Sequence, residues 1–149
     1  MRPFLAIALL VCFLIATAAS AEAAESQNIL KQPVIETTVS LSNSANEYKF
    51  EPNHLEFETR KRYKLILINP STQKHYFTAK DFADSIWTQK VEAGNVEIKG
   101  AIHELELKPE AKAEWVFVPL KPGTYSLRCP IAGHTEAGMT GEIVIFAEH

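Results

Sequence analysis

The segment 125–145, YSLRCPIAGHTEAGMTGEIVI, contains a cysteine, a histidine and a methionine at intervals of five residues. These residues are Cys129, His134 and Met139. A thiolate, an imidazole and a thioether are soft or borderline ligands, and together they suit copper. One kind of protein copper site takes two histidines and one cysteine in a trigonal plane, with a weak methionine on the axis. The segment therefore predicts three of the four ligands of such a site.

The fourth ligand must come from another part of the chain, which has four further histidines. His75 follows the apolar run YKLILI and its Asn-Pro break, so it can meet a loop between two other strands at one end of a β-sandwich. His54 and His103 lie within alternating strand patterns, which predicts surface side chains, and His149 is the last residue. The sequence therefore predicts His75 as the second histidine.

Each residue of the loop has a simpler interpretation when it is taken alone. Cys129 could be an inert buried thiol or half of a cysteine–histidine hydrolytic dyad, and the pair could bind zinc. A dyad gives the thioether no role, and a methionine ligand favours copper over zinc. A binuclear copper centre is excluded because it needs a second cysteine in the loop. A separate second copper site, as in copper enzymes, needs additional histidine ligands, which the singly scattered histidines do not supply. Four protein ligands leave no open position for a substrate, so we do not expect an enzyme.

The first 23 residues predict export. Arg2 precedes an apolar run that extends to Ala16, and Ala-Thr-Ala, Ala-Ser-Ala and Ala-Glu-Ala triplets follow it. A basic start, a short apolar core and small residues at the end are typical of a secretory signal peptide. The run is shorter than the roughly 20 apolar residues of a membrane-spanning helix. We expect cleavage after Ala21 or Ala23, and a periplasmic protein without stable membrane insertion.

Cleavage leaves one cysteine and one methionine, because Cys12 and Met1 lie in the signal peptide. A single thiol cannot form an internal disulfide, and in an oxidising compartment it is a liability unless it is buried or bonded. Removal of the first 23 of 149 residues leaves 126, the size of one ordinary domain. The net charge stays at −3, since one basic and one acidic residue leave together. We find no basic run that suggests a nucleic-acid partner.

Short apolar runs separated by turn residues make up most of the remaining chain. Residues 24–33 are polar and predict a flexible lead, and residues 34–149 predict the domain. Many short alternating strands indicate an all-β sandwich or barrel. Residues 80–89, KDFADSIWTQ, have apolar side chains at helical spacing and predict one short helix. The predicted strands are 34–41, 48–50, 55–57, 63–68, 96–98, 102–107, 113–118, 124–128 and 141–146.

Together these features resemble the cupredoxins, the small blue-copper proteins. The similarity runs from EYKFEPNHLEFETRKRYKLILINPSTQKHYF to GTYSLRCPIAGHTEAGMTGEIVIF, and the Cys-x4-His-x4-Met spacing is its most specific part. The resemblance implies a Greek-key β-sandwich with one type 1 copper ion, similar to single-domain periplasmic members of the plastocyanin or rusticyanin kind. It implies that His75, Cys129 and His134 are the equatorial ligands and that Met139 is the axial ligand.

A type 1 copper site implies one-electron transport between redox partners such as a cytochrome, an oxidase or a reductase. We expect a monomer whose His134 imidazole edge is exposed on the loop, so that partners dock near it. We also expect the N–H groups of Tyr76 and Ile131 to hydrogen-bond the cysteine sulfur. The alternative function is copper handling, as delivery, sequestration or tolerance. Proteins of that kind often have methionine- or histidine-rich tracts, which this chain lacks, and this favours the carrier.

Overall fold

The structure is a computed structural model that describes residues 28–148. The predicted signal peptide, most of the predicted lead and His149 lie outside the described residues. The chain divides into one unit that ends at Pro33 and a second unit, Val34–His149. The described part of the first unit contains a turn of 3-10 helix at Ile29–Lys31. Within residues 28–148, we find no helix with the length and apolar character needed to cross a bilayer.

The second unit consists mainly of β-strands, with one short helix between the fifth and sixth strands. The elements in chain order are β1 (Ile35–Leu41), β2 (Phe50–Glu51), β3 (His54–Glu58), β4 (Tyr63–Ile68), β5 (His75–Thr78), α1 (Lys80–Ala83), β6 (Ile86–Ala93), β7 (Val96–Ile98), β8 (Glu104–Leu107), β9 (Lys112–Pro119), β10 (Gly123–Arg128) and β11 (Thr140–Phe146).

The strands form two mixed sheets. One sheet has the order β2-β1-β4-β9-β6-β7, and the other has the order β3-β11-β10-β5-β8. Most neighbours are antiparallel, but β1 pairs in parallel with β4, and β3 pairs in parallel with β11. Parallel neighbours cannot be joined by a tight hairpin. Strands β2 to β6 accordingly alternate between the two sheets along the chain. The all-β sandwich predicted from the sequence is confirmed.

Aromatic side chains from both sheets fill the core between them. Phe57 of β3 packs edge to face on Phe117 of β9, with ring centroids 5.2 Å apart. Phe82 of α1 meets Phe117 at 5.5 Å and Trp115 at 6.0 Å. Burial of each such side chain stabilises the fold by about 1.5–3 kcal/mol. The two sheets are therefore held against each other by a continuous apolar layer.

The predicted short helix is present, but it is shorter than the sequence suggests. α1 ends at Ala83, and the chain from Ile86 onward forms strand β6. The apolar residues of 80–89 fit a helical spacing, yet Trp87 is 43 % exposed and lies opposite Val118 of β9. Strand β6 pairs with β9 from Ile86 to Glu92, with one irregularity between Thr88 and Lys90, and this tertiary contact decides the conformation where local spacing is ambiguous.

Candidate metal centre

The cysteine, histidine and methionine of the predicted site lie on the loop between β10 and β11. Cys129 directly follows β10, and Met139 directly precedes β11. The N–H of Cys129 donates to the carbonyl of Met139 at 3.1 Å, so the two ends of the loop are joined. Gly133 and Gly138 have φ values of +86° and +107°, a region that glycine adopts without strain. The loop therefore closes as a compact turn that returns Met139 to Cys129.

His75 reaches the same place from the first position of β5. It lies opposite Leu107 of β8, and its side chain is fully buried. The next residue, Tyr76, donates its backbone N–H to the sulfur of Cys129 at 3.4 Å, as expected from the sequence. The second expected donor, the N–H of Ile131, makes no such bond within the described residues. β5 is thus tied directly to the cysteine.

The buried side chain of Asn69 holds the turn that leads into His75. Its amide nitrogen donates to the carbonyls of Gln73, Leu107 and Lys108 at 2.7, 2.9 and 3.1 Å. Its amide oxygen accepts from the backbone N–H and the hydroxyl of Ser71 at 3.1 and 2.7 Å. One side chain therefore fixes the turn and also ties it to the end of β8. The Asn-Pro pair after a strand marks a turn, but the local sequence does not indicate the role of the Asn69 side chain.

The donor atoms of His75, Cys129 and His134 lie within 4.8 Å of one another. Nδ1 of His134 stands 3.4 Å from the sulfur of Cys129, and the two imidazole rings are 5.1 Å apart at their centroids. Metal bonds to nitrogen and sulfur ligands are about 2.0–2.3 Å long. Three donors at this separation can share a single ion.

Both ring nitrogens of His75 are buried and make no hydrogen bond. A buried polar group without a partner costs about 1–3 kcal/mol, so such a group calls for an explanation. Burial lowers the pKa of His75, and the neighbouring His134 lowers it further. The imidazole is therefore held in its neutral form, which is the form that binds a metal ion. An unpartnered neutral histidine beside a thiol and a second histidine fits a copper ion.

Met139 adds a thioether to this donor set. Its side chain is fully buried, and its N–H donates to the carbonyl of His134 at 2.9 Å. Cys129 is likewise fully buried and is the free cysteine of the described chain. Two imidazoles, a thiol and a thioether are the donors expected of a blue-copper site rather than of a zinc or calcium site. The residues present therefore suit copper.

His134 lies on the loop as expected and is largely buried there, with the ring of Tyr48 packed against it. Only 7 % of the residue is accessible to solvent, because the ring of Tyr48 covers it at a centroid distance of 4.3 Å. Tyr48 precedes β2 and belongs to the connection from β1, whereas the sequence predicts that residues 48–50 form a strand. An aromatic residue between two charged residues, Glu47 and Lys49, is the signal that marks it.

The other described histidines are far less suited to bind a metal. His54 is half exposed and pairs with Glu56 and Glu142, at 3.1 and 3.4 Å. His103 pairs with Asp84 at 2.6 Å and is also well exposed. Both lie at the surface, as the sequence predicts. The structure brings together the predicted residues His75, Cys129 and His134, with Met139 bonded to two of them through the backbone.

The two-sheet sandwich and its buried cysteine–histidine–histidine cluster define a copper-binding β-domain. The sequence matches the family described as "Cupredoxin-like domain" over residues 5–145. The chain belongs to this family, whose members bind copper. A comparison with curated proteins finds no match.

Solved structures with a similar fold include two auracyanins and a domain of an enzyme. A reduced auracyanin from Roseiflexus castenholzii is 15 % identical, with a TM-score of 0.55 over 77 % of this chain and 99 % of that one. Auracyanin A from Chloroflexus aurantiacus, described as a "blue" copper protein, is 15 % identical, with a TM-score of 0.53 over 76 % and 100 %. The copper nitrite reductase of Thermus scotoductus is 12 % identical, with a TM-score of 0.59 over 80 % of this chain and 32 % of that chain. At these identities the similarity shows the fold.

Proposed function

We propose that the protein is a periplasmic one-electron carrier with a type 1 copper ion held by His75, Cys129, His134 and Met139. The observation that carries this proposal is the unpartnered His75, buried within 4.8 Å of the thiol and the second imidazole. Bound copper supplies a one-electron couple between Cu(I) and Cu(II). The role of the chain is to hold the four donors in place and to exclude water.

The rigidity of the donors favours electron transfer. Cys129 and Met139 are joined by a backbone hydrogen bond, and Tyr76 links the cysteine to β5. Two sheets packed on an aromatic core hold these strands. Donors that cannot move keep the same arrangement in both oxidation states, so little reorganisation accompanies the gain or loss of an electron. The N–H donated to the thiolate also tunes the potential of the site.

The burial of the donors argues against copper delivery or sequestration as the main role. Cys129 and Met139 are fully buried, and Tyr48 covers His134. A protein that transfers copper needs donors that an accepting protein can reach. We also propose that the protein is not an enzyme by itself, since four protein donors leave no position for a substrate. The nitrite reductase that shares the fold is about three times as long as the region that matches.

Replacement of Met139 by leucine separates the carrier from the copper-handling protein. We expect the Met139→Leu protein to keep its copper and to show a reversible one-electron couple at a higher potential, because loss of a weak axial thioether destabilises Cu(II). Voltammetry of the protein, purified from cells that express the full chain, measures both properties. The exposed Val96→Leu substitution is the control and should leave the potential unchanged. An irreversible couple in the unsubstituted protein, or loss of copper in Met139→Leu, would contradict the carrier.

A further inference from the structure

A short connection before β2 forms a cover over one end of the sandwich. Residues 42–49, which we call the cover loop, are closed by the N–H of Ser42, which donates to the carbonyl of Lys49 at 2.8 Å. The hydroxyl of Ser42 donates to the carbonyl of Glu47 at 2.6 Å. Asn43 accepts from the N–H groups of Ala45 and Glu47 at 3.0 and 3.2 Å. The cover loop therefore has a defined shape of its own.

Further contacts tie the cover loop to the turn before His75. The side-chain oxygen of Asn46 accepts from the N–H and the hydroxyl of Thr72 at 2.9 and 3.0 Å. The backbone of the cover loop also passes close to the loop between β10 and β11, residues 129–139, which we call the copper loop. A Cβ on Gly138 would stand 3.9 Å from the carbonyl oxygen of Tyr48. The cover loop thus spans both segments that supply the donors.

These contacts place the ring of Tyr48 on the two histidines. It lies against His134 at 4.3 Å with an interplanar angle of 32°, and edge to face with His75 at 6.3 Å. Tyr48 is 36 % exposed, whereas His134 is 7 % exposed. A molecule that approaches this end of the protein therefore meets far more of Tyr48 than of the imidazole against which it packs.

We propose that Tyr48 is the surface group across which the metal centre exchanges an electron with a one-electron redox protein. This inference rests on the proposed function. One electron leaves the reduced centre of one protein and enters the oxidised centre of the other, across the contacting rings of Tyr48 and His134. No bond forms or breaks, and Tyr48 is neither oxidised nor reduced at the end.

The physical reason is the dependence of electron tunnelling on packing. Coupling across atoms in van der Waals contact is stronger than coupling across a water-filled gap of the same width. A large partner rests on the rim of the copper loop, where Pro130 and Ala132 are exposed, and it cannot enter a hole left by Tyr48. A small metal complex can enter that hole. Removal of Tyr48 should therefore affect large and small partners in opposite directions.

The position of Tyr48 is tested first in the copper-free protein by NMR. A neutral, soluble gadolinium chelate should broaden the ring protons of Tyr48 strongly and those of His134 weakly. This measurement uses the unsubstituted protein, so it does not depend on the folding of a variant. The ring current of Tyr48 should also shift the His134 ring protons, and the shift should be kept in Tyr48→Phe and lost in Tyr48→Ala. Strong broadening of His134, or an unchanged shift in Tyr48→Ala, would overturn the proposal.

The transfer route is tested with copper-loaded protein. Electron self-exchange between two copies, measured from NMR line widths, should slow several-fold in Tyr48→Ala and stay unchanged in Tyr48→Phe. Oxidation by the small complex hexacyanoferrate(III) should become faster in Tyr48→Ala. The matched control is Trp87→Ala, which removes a similarly exposed aromatic residue from β6 and should change neither rate. Self-exchange that is unchanged or faster in Tyr48→Ala would overturn the proposal.

Failure of this inference can be told apart from failure of the proposed function. If the unsubstituted protein lacks a reversible copper couple, the proposed function fails. If it has that couple, and Tyr48→Ala has the same couple with unchanged self-exchange, only the role of Tyr48 fails.

Discussion

At the scale of single residues, His75 is held in a state that costs stability in the absence of metal. Its two ring nitrogens are buried without a hydrogen-bond partner, and burial lowers its pKa. Strain and unsatisfied groups of this kind are characteristic of functional sites, where the rest of the structure compensates for them. His75 therefore links the function of the site to the stability of the copper-free protein.

Substitution of His75 by leucine should make the copper-free protein more stable. Leucine fills a similar volume and removes the unsatisfied nitrogens, so we expect the free energy of unfolding to rise by about 1 kcal/mol. Urea denaturation of the copper-free protein measures this change, and the same variant should lose the copper site. The surface substitution His54→Leu is a control, which should give no comparable gain. A copper-free His75→Leu protein less stable than the original would refute this account of His75.

The lowered pKa of His75 also predicts how stability depends on pH. The unfolded chain takes up a proton at His75 near its ordinary pKa of 6.5, but the folded copper-free chain does so only at a lower pH. Between these two values the unfolded state binds more protons, so the contribution of His75 to stability is present above pH 6.5 and is lost as the pH falls through the folded pKa. Urea denaturation of the copper-free protein at several pH values between about 7.5 and 5 measures how the free energy of unfolding changes with pH. An equal slope in His75→Leu would exclude His75 as its source.

At the scale of elements, two connections assemble the site: the copper loop and the turn between β4 and β5 that leads into His75. The sequence predicts the copper loop better than the turn. The copper loop can be predicted from the sequence because Cys129, His134 and Met139 lie close together between two alternating strands. Strand β4 has the bounds that YKLILI predicts, since its alternate residues Tyr63, Leu65 and Leu67 face the core. Local pattern is enough where one face of a strand is buried and the other is not.

The elements that the sequence does not predict depend on contacts distant in the chain. β5 has only four residues and pairs with β8, about 30 residues later. β6 is fixed by β9, which overrides the helical spacing of residues 80–89. The position of Tyr48 over His134 depends on the fold of the cover loop and on its contact with Thr72. No spacing rule joins residues from such separate segments.

Substitution of Asn69 by alanine tests the connection that positions His75. It leaves the carbonyls of Gln73, Leu107 and Lys108 without their shared donor. We expect a loss of about 1–3 kcal/mol in the free energy of unfolding and weaker copper binding, because the turn before His75 is no longer held. Denaturation and copper titration measure the two effects. The exposed substitution Asn95→Ala is the matched control, and equal behaviour of the two variants would show that Asn69 does not position the site.

At the scale of the whole molecule, the sandwich is a rigid support for one end that carries chemistry. The strands that carry or adjoin the donors, β5, β10 and β11, belong to one sheet, and the aromatic core packs that sheet against the other. In the proposed site, a copper ion held by His75 and Cys129 would join two segments that are distant in the sequence. Copper binding should therefore stabilise the entire fold.

The melting temperature should rise on addition of copper, because copper binds the assembled site and not the unfolded chain. The free energy of unfolding then rises by about 2.7 kcal/mol when the concentration of free copper is roughly 100 times the dissociation constant. Calorimetry with and without Cu(I), supplied under a reducing atmosphere, measures the shift. The double substitution His54→Ala and His103→Ala removes exposed histidines outside the site and should leave the shift intact. A shift that persists in Cys129→Ser would show that copper binds elsewhere.

The most direct test of the copper site is the visible absorption spectrum of the purified protein after addition of one equivalent of Cu(II). We predict an intense band in the red from thiolate-to-copper charge transfer, which should be absent in Cys129→Ser and in His75→Leu. Such a band would show that the buried thiol binds Cu(II) in a type 1 site. Weak absorption alone in the unsubstituted protein, with copper bound, would contradict the proposed site and with it the electron carrier.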